Sequence, residues 1–361
     1  MFSRSKFTGP STRGDINLTS WLRSRRMEVA LEPDLPIIDP HHHLWQLQTR
    51  GTYLIEDVLA DMGGGHNIVS SVFLECRAMY RADGPEAMKP VGEVEFVNGI
   101  AAMSASGNYG PTRVAEGIVG HADLMLGAKV GEVLDEEIKV GGGRFKGIRH
   151  STPWDSSEVG LHTSRYVPPQ QLLDPKLREG FRELAKRKLT YDAWLYHPQI
   201  RELTDLARAF PHATIIIDHV GGMLGVGPYQ GQQAAIMPEW KKDMAELAKC
   251  PNVNVKLGGL GMIVFGFDFH ERAQPPSSQE LADAWRPYIE TCIELFGPNR
   301  SMFESNFPPD KQSCGYTELW NAFKHLTKNA SAAEKTALYS GTAARVYSLR
   351  APEPGKATWR E

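Results

Sequence analysis

The sequence predicts a (β/α)8 barrel, an α/β fold of eight parallel strands and their helices built as a single domain. Eight short apolar segments, rich in β-branched residues, alternate with longer amphipathic segments along the 361-residue chain. No Gly-x-Gly-x-x-Gly motif follows the first apolar segment, which argues against an open dinucleotide-binding sheet. Barrels of this class can exceed about 250 residues as one domain, so the length requires no second domain.

The first 33 residues differ in composition from the rest, because they carry six basic residues against three acidic ones. One interpretation is an organelle-targeting segment. We favour the other, a surface arm with a helix over Leu18–Ala30 that packs on the body or on a second copy of the chain. The predicted division is therefore an arm over 1–33, a barrel over 34–350 and a tail over 351–361, and we expect a homodimer.

The eight predicted strands are short and bounded by glycine, proline or polar residues, as buried parallel strands are. In chain order they are Pro36–Asp39, Val69–Glu75, Gly117–His121, Phe145–Arg149, Thr190–Tyr196, Thr214–His219, Asn252–Gly258 and Ser301–Asn306. Apolar residues at three- and four-residue spacing predict helices between them, over Glu93–Ser104, Leu177–Lys188, Gln199–Phe210, Glu239–Lys249 and Ser278–Phe296. Long loops over Gly221–Gly231 and Met262–Ser278 are expected to cover an active site.

The overall composition indicates a soluble protein of a reducing compartment, which we expect to be the cytoplasm. Forty basic and 43 acidic residues give a net charge of −3, so nothing favours a nucleic-acid partner. No apolar run approaches the roughly 18–20 residues that cross a bilayer, so no membrane partner is expected. The four cysteines are widely separated, so the sequence suggests neither a disulfide scaffold nor a paired-cysteine metal site.

Polar side chains gather where the predicted strands end, which is where barrels of this class place their active sites. His41 and His43 are two residues apart, so on extended backbone both project to one side and form half of a site for a divalent metal. His197 and His219 end the fifth and sixth strands and extend this set. Each is also compatible with a hydrogen-bonded structural histidine.

Four further residues are candidates for substrate binding. Arg77 and Arg149 could hold a carboxylate through the bidentate guanidinium fork, and Lys256 could do so as a point charge. The alternative for these cations is an ion pair at the rim of the barrel. Tyr196 is a candidate for the wall of an aromatic pocket, although core packing is the commoner fate of such a residue.

These motifs resemble the amidohydrolase superfamily, and within it the amidohydrolase-2 branch of barrel hydrolases that includes lactonases. The resemblance runs from about Leu35 to Leu349 and is carried by Ile38-Asp39-Pro40-His41-His42-His43-Leu44-Trp45, Phe145-Lys146-Gly147-Ile148-Arg149-His150, Ile217-Asp218-His219-Val220-Gly221-Gly222, Val255-Lys256-Leu257-Gly258-Gly259-Leu260 and Met302-Phe303-Glu304-Ser305-Asn306-Phe307-Pro308. It implies one divalent metal, zinc or manganese, on His41, His43 and His197, with His219 moving protons. Because some relatives in this branch work without a metal, a metal-free mechanism stays open.

The eighth strand departs from the family pattern. Where the family has Ser-Asp-Trp-Pro, this chain has Ser305-Asn306-Phe307-Pro308, and asparagine cannot accept a proton at neutral pH. Glu304 lies two residues earlier and so faces the same side of the strand. It is the candidate for general base or metal ligand, with Asn306 donating to substrate. The alternative for Glu304 is a buried partner of Arg149 or Lys256.

The expected function is therefore hydrolysis of a small, carboxylated cyclic ester by a water that Glu304 activates, with His219 and Lys256 stabilising charge on the carbonyl oxygen. Two alternatives stay open. One is a lyase on the same scaffold, a decarboxylase or hydratase acting on an aromatic or unsaturated acid. The other is a binding protein without catalytic activity.

Overall fold

The computed structural model describes residues 15–47, 51–163 and 166–352, and it has the predicted barrel. Eight parallel strands pair in the order β1-β4-β5-β6-β7-β8-β9-β10, and a parallel bridge between His42 and Phe307 joins the last strand region to the first. A short antiparallel ribbon, β2 with β3, lies outside this sheet. The strands are β1 Ile37–His42, β2 Trp45–Leu47, β3 Gly51–Tyr53, β4 Ile68–Leu74, β5 Arg113–Gly120, β6 Phe145–Arg149, β7 Thr190–Ala193, β8 Ile215–Ile217, β9 Val253–Leu257 and β10 Ser301–Phe303.

All eight predicted barrel strands are present, but six of them end earlier than the sequence predicts, three of these by two or more residues. Tyr196, His219 and Asn306 follow their strands instead of ending them. His219 and Asn306 have φ angles of 53° and 51°, so the chain leaves the extended conformation at these positions. The polar residues at the ends of β8 and β10 therefore sit on tight turns.

The helices include every predicted one, and α8 has the predicted bounds. They are α1 Asp15–Leu22, α2 Ile55–Met62, α3 Val91–Ala105, α4 Val130–Gly141, α5 Pro175–Lys186, α6 Ile200–Ala209, α7 Gln233–Ala248, α8 Ser278–Phe296, α9 Tyr316–Leu326, α10 Ala332–Thr336 and α11 Thr342–Val346. Among the described residues, no helix is both long and apolar enough to span a membrane.

The arm differs from its prediction, because its helix ends at Leu22 and not at Ala30. Beyond the helix the arm is held through polar contacts that a continued helix would not align. Glu28 accepts hydrogen bonds from the backbone and hydroxyl of Ser278, and the Leu31 N–H donates to Asn321 at 2.8 Å. The expected dimer stays a prediction. Residues 1–14 of the arm and 353–361 of the tail lie outside the described residues.

The lower half of the barrel interior is apolar and is closed by the C-terminal helix α11. A buried cluster formed by β1, β4, β5, β8 and β10 packs against this helix and includes Ile38, Val72, Val119, Ile216, Met302, Val346 and Tyr347. Burying a side chain of this size contributes roughly 1.5–3 kcal/mol. This layer forms the floor on which the polar upper half of the barrel rests.

Candidate active site

Three predicted residues from three different strands meet at the upper end of the barrel. The Glu304 carboxylate lies between two imidazoles, with Oε2 at 2.7 Å from His41 Nδ1 and Oε1 at 2.7 Å from His219 Nδ1. All three side chains are buried. They offer one ligand atom each, and these atoms lie within 4.8 Å of one another. We refer to His41, His219 and Glu304 as the ligand cluster.

Two consecutive glycines after β9 make room for this cluster. A Cβ atom on Gly258 would overlap Glu304, and one on Gly259 would overlap the His219 ring. Gly259 also has a φ of +70°, which disfavours any other residue. The next turn is strained, because the β-branched Val220 after His219 has a φ of 48°. Backbone strain and tight packing therefore fix His219 and Glu304 in one geometry.

Lys256 and Arg149 lie below the cluster, inside the barrel. Lys256 Nζ is 2.7 Å from Asp192, 3.2 Å from Asp218 and 3.2 Å from His41 Nδ1. The Asp192 carboxylate also accepts a 2.5 Å hydrogen bond from Tyr347, whose ring lies 5.5 Å from the ammonium. Lys256 is completely buried and its donors point at protein groups. For Lys256 the structure favours the ion-pair alternative over contact with substrate.

Arg149 is committed in the same way. Its Nε donates to Glu75 Oε1 at 3.0 Å and one terminal nitrogen donates to the Glu75 carbonyl at 2.5 Å. The other terminal nitrogen lies 3.2 Å from His41 Nε2 and 3.5 Å from Asp218. The expectation that Arg149 holds a substrate carboxylate is therefore not supported by this geometry, in which every guanidinium nitrogen faces a protein group.

Buried carboxylates outnumber buried cations in this layer. The groups are Glu75, Asp192, Asp218, Glu304, Arg149 and Lys256. Burial alone would lower the pKa of Lys256, but the neighbouring carboxylates raise it, so the lysine is charged. If all four acids are ionised, two negative charges lack a partner.

His41 is neutral in this environment. Burial, followed by the positive charges of Lys256 and Arg149, holds the pKa of His41 well below its usual value. A neutral imidazole is the form that binds metals. Its Nδ1 atom faces a donor, the Lys256 ammonium, and an acceptor, Glu304, and one nitrogen cannot satisfy both.

These observations fit a divalent cation. Glu304 Oε2 is buried and, although it lies 2.7 Å from His41 Nδ1, it makes no hydrogen bond among the described residues. Two imidazoles and a carboxylate are a donor set that zinc accepts, and a charge of +2 matches the excess of negative charge. The ligand cluster can therefore hold one divalent metal ion.

Two of the three predicted metal ligands lie outside this cluster. The Nδ1 atom of His43 donates to the Leu74 carbonyl at 2.9 Å, and its Nε2 lies 3.3 Å from Asn306 Oδ1. His197 accepts a hydrogen bond from the Leu224 N–H at 3.3 Å and packs edge-on against Tyr229. Of the three histidines predicted as ligands the cluster contains His41, and it is completed by His219 and by Glu304, the residue predicted as general base or metal ligand.

Asn306 supports the cluster from the side. Its amide donates to Asp310 at 2.7 Å, while its oxygen faces His43. Burial raises the pKa of Asp310 well above its usual value. A second carboxylate at position 306 would lie against this acid, which is a physical reason for asparagine there.

The remaining predicted residues lie at the mouth of the barrel. Arg77 is exposed and has a φ of 68°, on the turn that follows β4. Tyr196 is buried against Trp194, with ring centroids 5.8 Å apart. Trp194 packs edge-on against His219 at 4.9 Å, and sequence reasoning missed it as a site residue. Its position two residues before Tyr196, on the same side of an extended chain, was the available signal.

Comparison with known proteins agrees with this architecture. A family model described as amidohydrolase, Amidohydro_2, matches residues 38–349. An uncharacterized protein of Sinorhizobium fredii, y4mH, is 35% identical over 87% of this chain and 99% of its own length. An L-fucono-1,5-lactonase of Burkholderia multivorans is 23% identical over 89% of this chain and 98% of its own.

Among solved structures, an amidohydrolase of Burkholderia multivorans crystallised with bound zinc superposes with a TM-score of 0.67. It is 21% identical to this chain and the match covers 87% of this chain and 99% of the other. The shared fold therefore extends over nearly the whole barrel.

Proposed function

Since this chain belongs to the amidohydrolase family and is a hydrolase, we propose that it opens a small, carboxylated cyclic ester by adding water. The observation that carries the proposal is the buried Glu304 carboxylate held between two imidazoles at the end of the barrel where such enzymes act. The lactonase name of a relative matched over 89% of this chain supports the choice of ester.

Glu304 is the residue proposed to take a proton from the attacking water. As the water oxygen bonds to the ester carbonyl carbon, its proton moves to the carboxylate. The bond from that carbon to the ring oxygen then breaks, and the leaving alkoxide needs a proton. His219 contacts Glu304 at 2.7 Å and is placed to deliver it.

His41, His219 and Glu304 are also the residues that would hold a divalent metal, for which we propose zinc or manganese. Bound there, such an ion lowers the pKa of a coordinated water and polarises the ester carbonyl. Lys256 and Arg149 serve beneath it as positioning residues, because they contact His41 from opposite ring nitrogens and fix its orientation. In this proposal neither cation touches the substrate.

The exposed Arg77 is proposed to receive the substrate carboxylate. It follows β4, two residues after Glu75, whose side chain is engaged with Arg149. An arginine at the mouth can pair with a carboxylate in bidentate geometry. The Arg77→Lys variant should raise KM more than it lowers kcat, because lysine keeps the charge and loses the fork.

A panel of substrates tests the reaction class. Sugar lactones and carboxylated unsaturated lactones are supplied to the full chain, and acid release is followed with a pH indicator. Ring opening that is lost in Glu304→Gln supports the proposal. Carbon dioxide release from aromatic acids without any ring opening would replace it by the lyase alternative. No turnover of either class, with ligand binding intact, would favour the binding protein.

Metal content tests the cofactor. Protein purified without a histidine tag or chelator should contain close to one equivalent of zinc or manganese by elemental mass spectrometry, and His41→Ala should lose it. Glu75→Gln is the matched control, since Glu75 is buried in the same layer but is not a ligand. Full activity with metal far below one equivalent would favour the metal-free mechanism.

A further inference from the structure

Trp194 forms a wall directly beside the proposed catalytic residues. It follows β7, and its ring centroid lies 4.9 Å from that of His219 with the planes at 72°. Its backbone carbonyl accepts a 2.9 Å hydrogen bond from Thr152, which fixes the chain at this point. The side chain is only partly buried, so part of the indole stays accessible at the upper end of the barrel.

The Trp194 indole belongs to a continuous row of six aromatic rings across the barrel mouth. Neighbouring ring centroids in this row are 4.5–6.1 Å apart. The members in spatial order are Trp45, His43, His41, His219, Trp194 and Tyr196. A ligand that reaches His219 therefore meets flat surfaces on both sides of it.

The wall behind Trp194 is apolar. The ring packs against a separate cluster made of Val159, Tyr196, Leu224 and Val226. In the part of the chain that the structure describes, no hydrogen bond is made by the Trp194 indole N–H, although its ring lies beside two polar catalytic groups. The wall thus offers a flat apolar surface and one donor that awaits an acceptor.

We propose that Trp194 is a specificity-determining residue that selects a flat, conjugated ring carrying oxygen acceptors over a saturated or polyhydroxylated ring. A flat ring can stack on or against the indole and accept its N–H. Hydroxyl groups of a sugar-like ring would face the apolar surface of the indole, which cannot replace the hydrogen bonds they make to water. The substrate class named here rests on the proposed ester hydrolysis, while ring selection itself is a property of binding.

Binding of three carboxylates to the full chain tests this inference without turnover. The probes are benzene-1,3-dicarboxylate, cis-cyclohexane-1,3-dicarboxylate and gluconate, measured by isothermal titration calorimetry. The flat dicarboxylate should bind about tenfold more tightly than its saturated counterpart, the size expected of one aromatic pair. Trp194→Ala should reduce that preference to less than about threefold, and Trp194→Phe should keep most of it.

Tyr166→Ala is the matched control, because Tyr166 is 90% exposed and belongs to no ring pair described here, so the preference should not change. If Trp194→Ala does not fold, as judged by its thermal transition, Trp194→Leu takes its place. Equal binding of the flat and saturated rings, binding of neither, or a preference that survives loss of the indole would overturn the inference. If the native chain prefers the flat dicarboxylate but opens no lactone, the proposed function is refuted and the inference about ring selection is retained.

Discussion

Replacing Glu304 by glutamine removes one charge from the ligand cluster and keeps the shape of the side chain. The carboxylate contacts two imidazoles, with Oε1 hydrogen-bonded to His219 and Oε2 at 2.7 Å from His41, whereas an amide has a single acceptor oxygen. In the variant, at least one imidazole must then lose its contact or face the NH2 group of the glutamine, which is itself a donor. Because both histidines are buried, neither can turn to water for a replacement.

The size of the effect follows from these contacts. A hydrogen bond to a charged group contributes about 1.5–3 kcal/mol, and a general base contributes about 10²–10⁴ in rate. We therefore expect kcat/KM to fall by about 10²–10⁴, with loss of bound metal. The free energy of unfolding should change by less than about 2 kcal/mol, because the lost hydrogen bond is offset by removal of an uncompensated buried charge.

The assay compares Glu304→Gln with Asp192→Asn, which removes a carboxylate from the same interior without touching the ligand cluster. Asp192 binds Lys256 and Tyr347, so its loss leaves a buried ammonium short of a partner and should cost about 3–5 kcal/mol of stability. Activity, metal content and urea unfolding are measured for both. Activity of Glu304→Gln within tenfold of the native protein, with metal retained, would refute the assignment of Glu304.

Three further variants probe the surroundings of the cluster. Asn306→Asp places a carboxylate against Asp310, so it should not raise activity and should lower stability at pH 8 by about 1–3 kcal/mol, less in acid, as urea unfolding would report. Burial lowers the pKa of His42 to about 4, so as the pH falls below about 6.5 the unfolded chain takes up a proton at His42 before the folded chain does, and the free energy of unfolding decreases. His42→Gln should reduce the loss of stability between pH 7 and pH 5 by about 2 kcal/mol. An unchanged loss of stability in the variant would contradict this reasoning. Gly259→Ala should displace His219 and abolish most activity in a chain that still folds, because the added Cβ overlaps the His219 ring. Unchanged kinetics in this variant would show that the backbone turn can adjust to the added methyl group.

The barrel strands could be predicted because each is a short apolar segment that must be buried, and burial leaves a pattern in the sequence. The polar residues that follow them could also be predicted, because they interrupt the apolar pattern at the strand ends, where barrels of this class place their active sites. His41, His219 and Glu304 were found in this way. The contents of the interior were harder to predict. Lys256 and Arg149 have the same sequence signal whether they face substrate or, as here, a buried carboxylate such as Asp218.

The position of His197 outside the ligand cluster has a specific physical cause. The prediction continued the fifth barrel strand through Tyr196, which would place His197 at its end, but β7 stops at Ala193. Three residues separate the strand from the histidine, and His197 itself begins a short 3-10 helix. Alternation along a strand fixes the direction of a side chain only while the backbone stays extended. The arm helix also ends earlier than predicted, at Leu22, and the chain beyond it is held by hydrogen bonds of Glu28 with Ser278 and of Leu31 with Asn321.

The exchange of aspartate for asparagine at position 306 and the presence of Glu304 are best understood together. The interior already holds more carboxylates than cations, so an additional acid at 306, beside Asp310, would lack any counter-charge. Glu304 lies two residues earlier, and there it meets two imidazoles. Placing the carboxylate at position 304 therefore supplies a proton acceptor at the barrel mouth. The Asn306 amide donates a hydrogen bond to Asp310, which an aspartate at position 306 would repel.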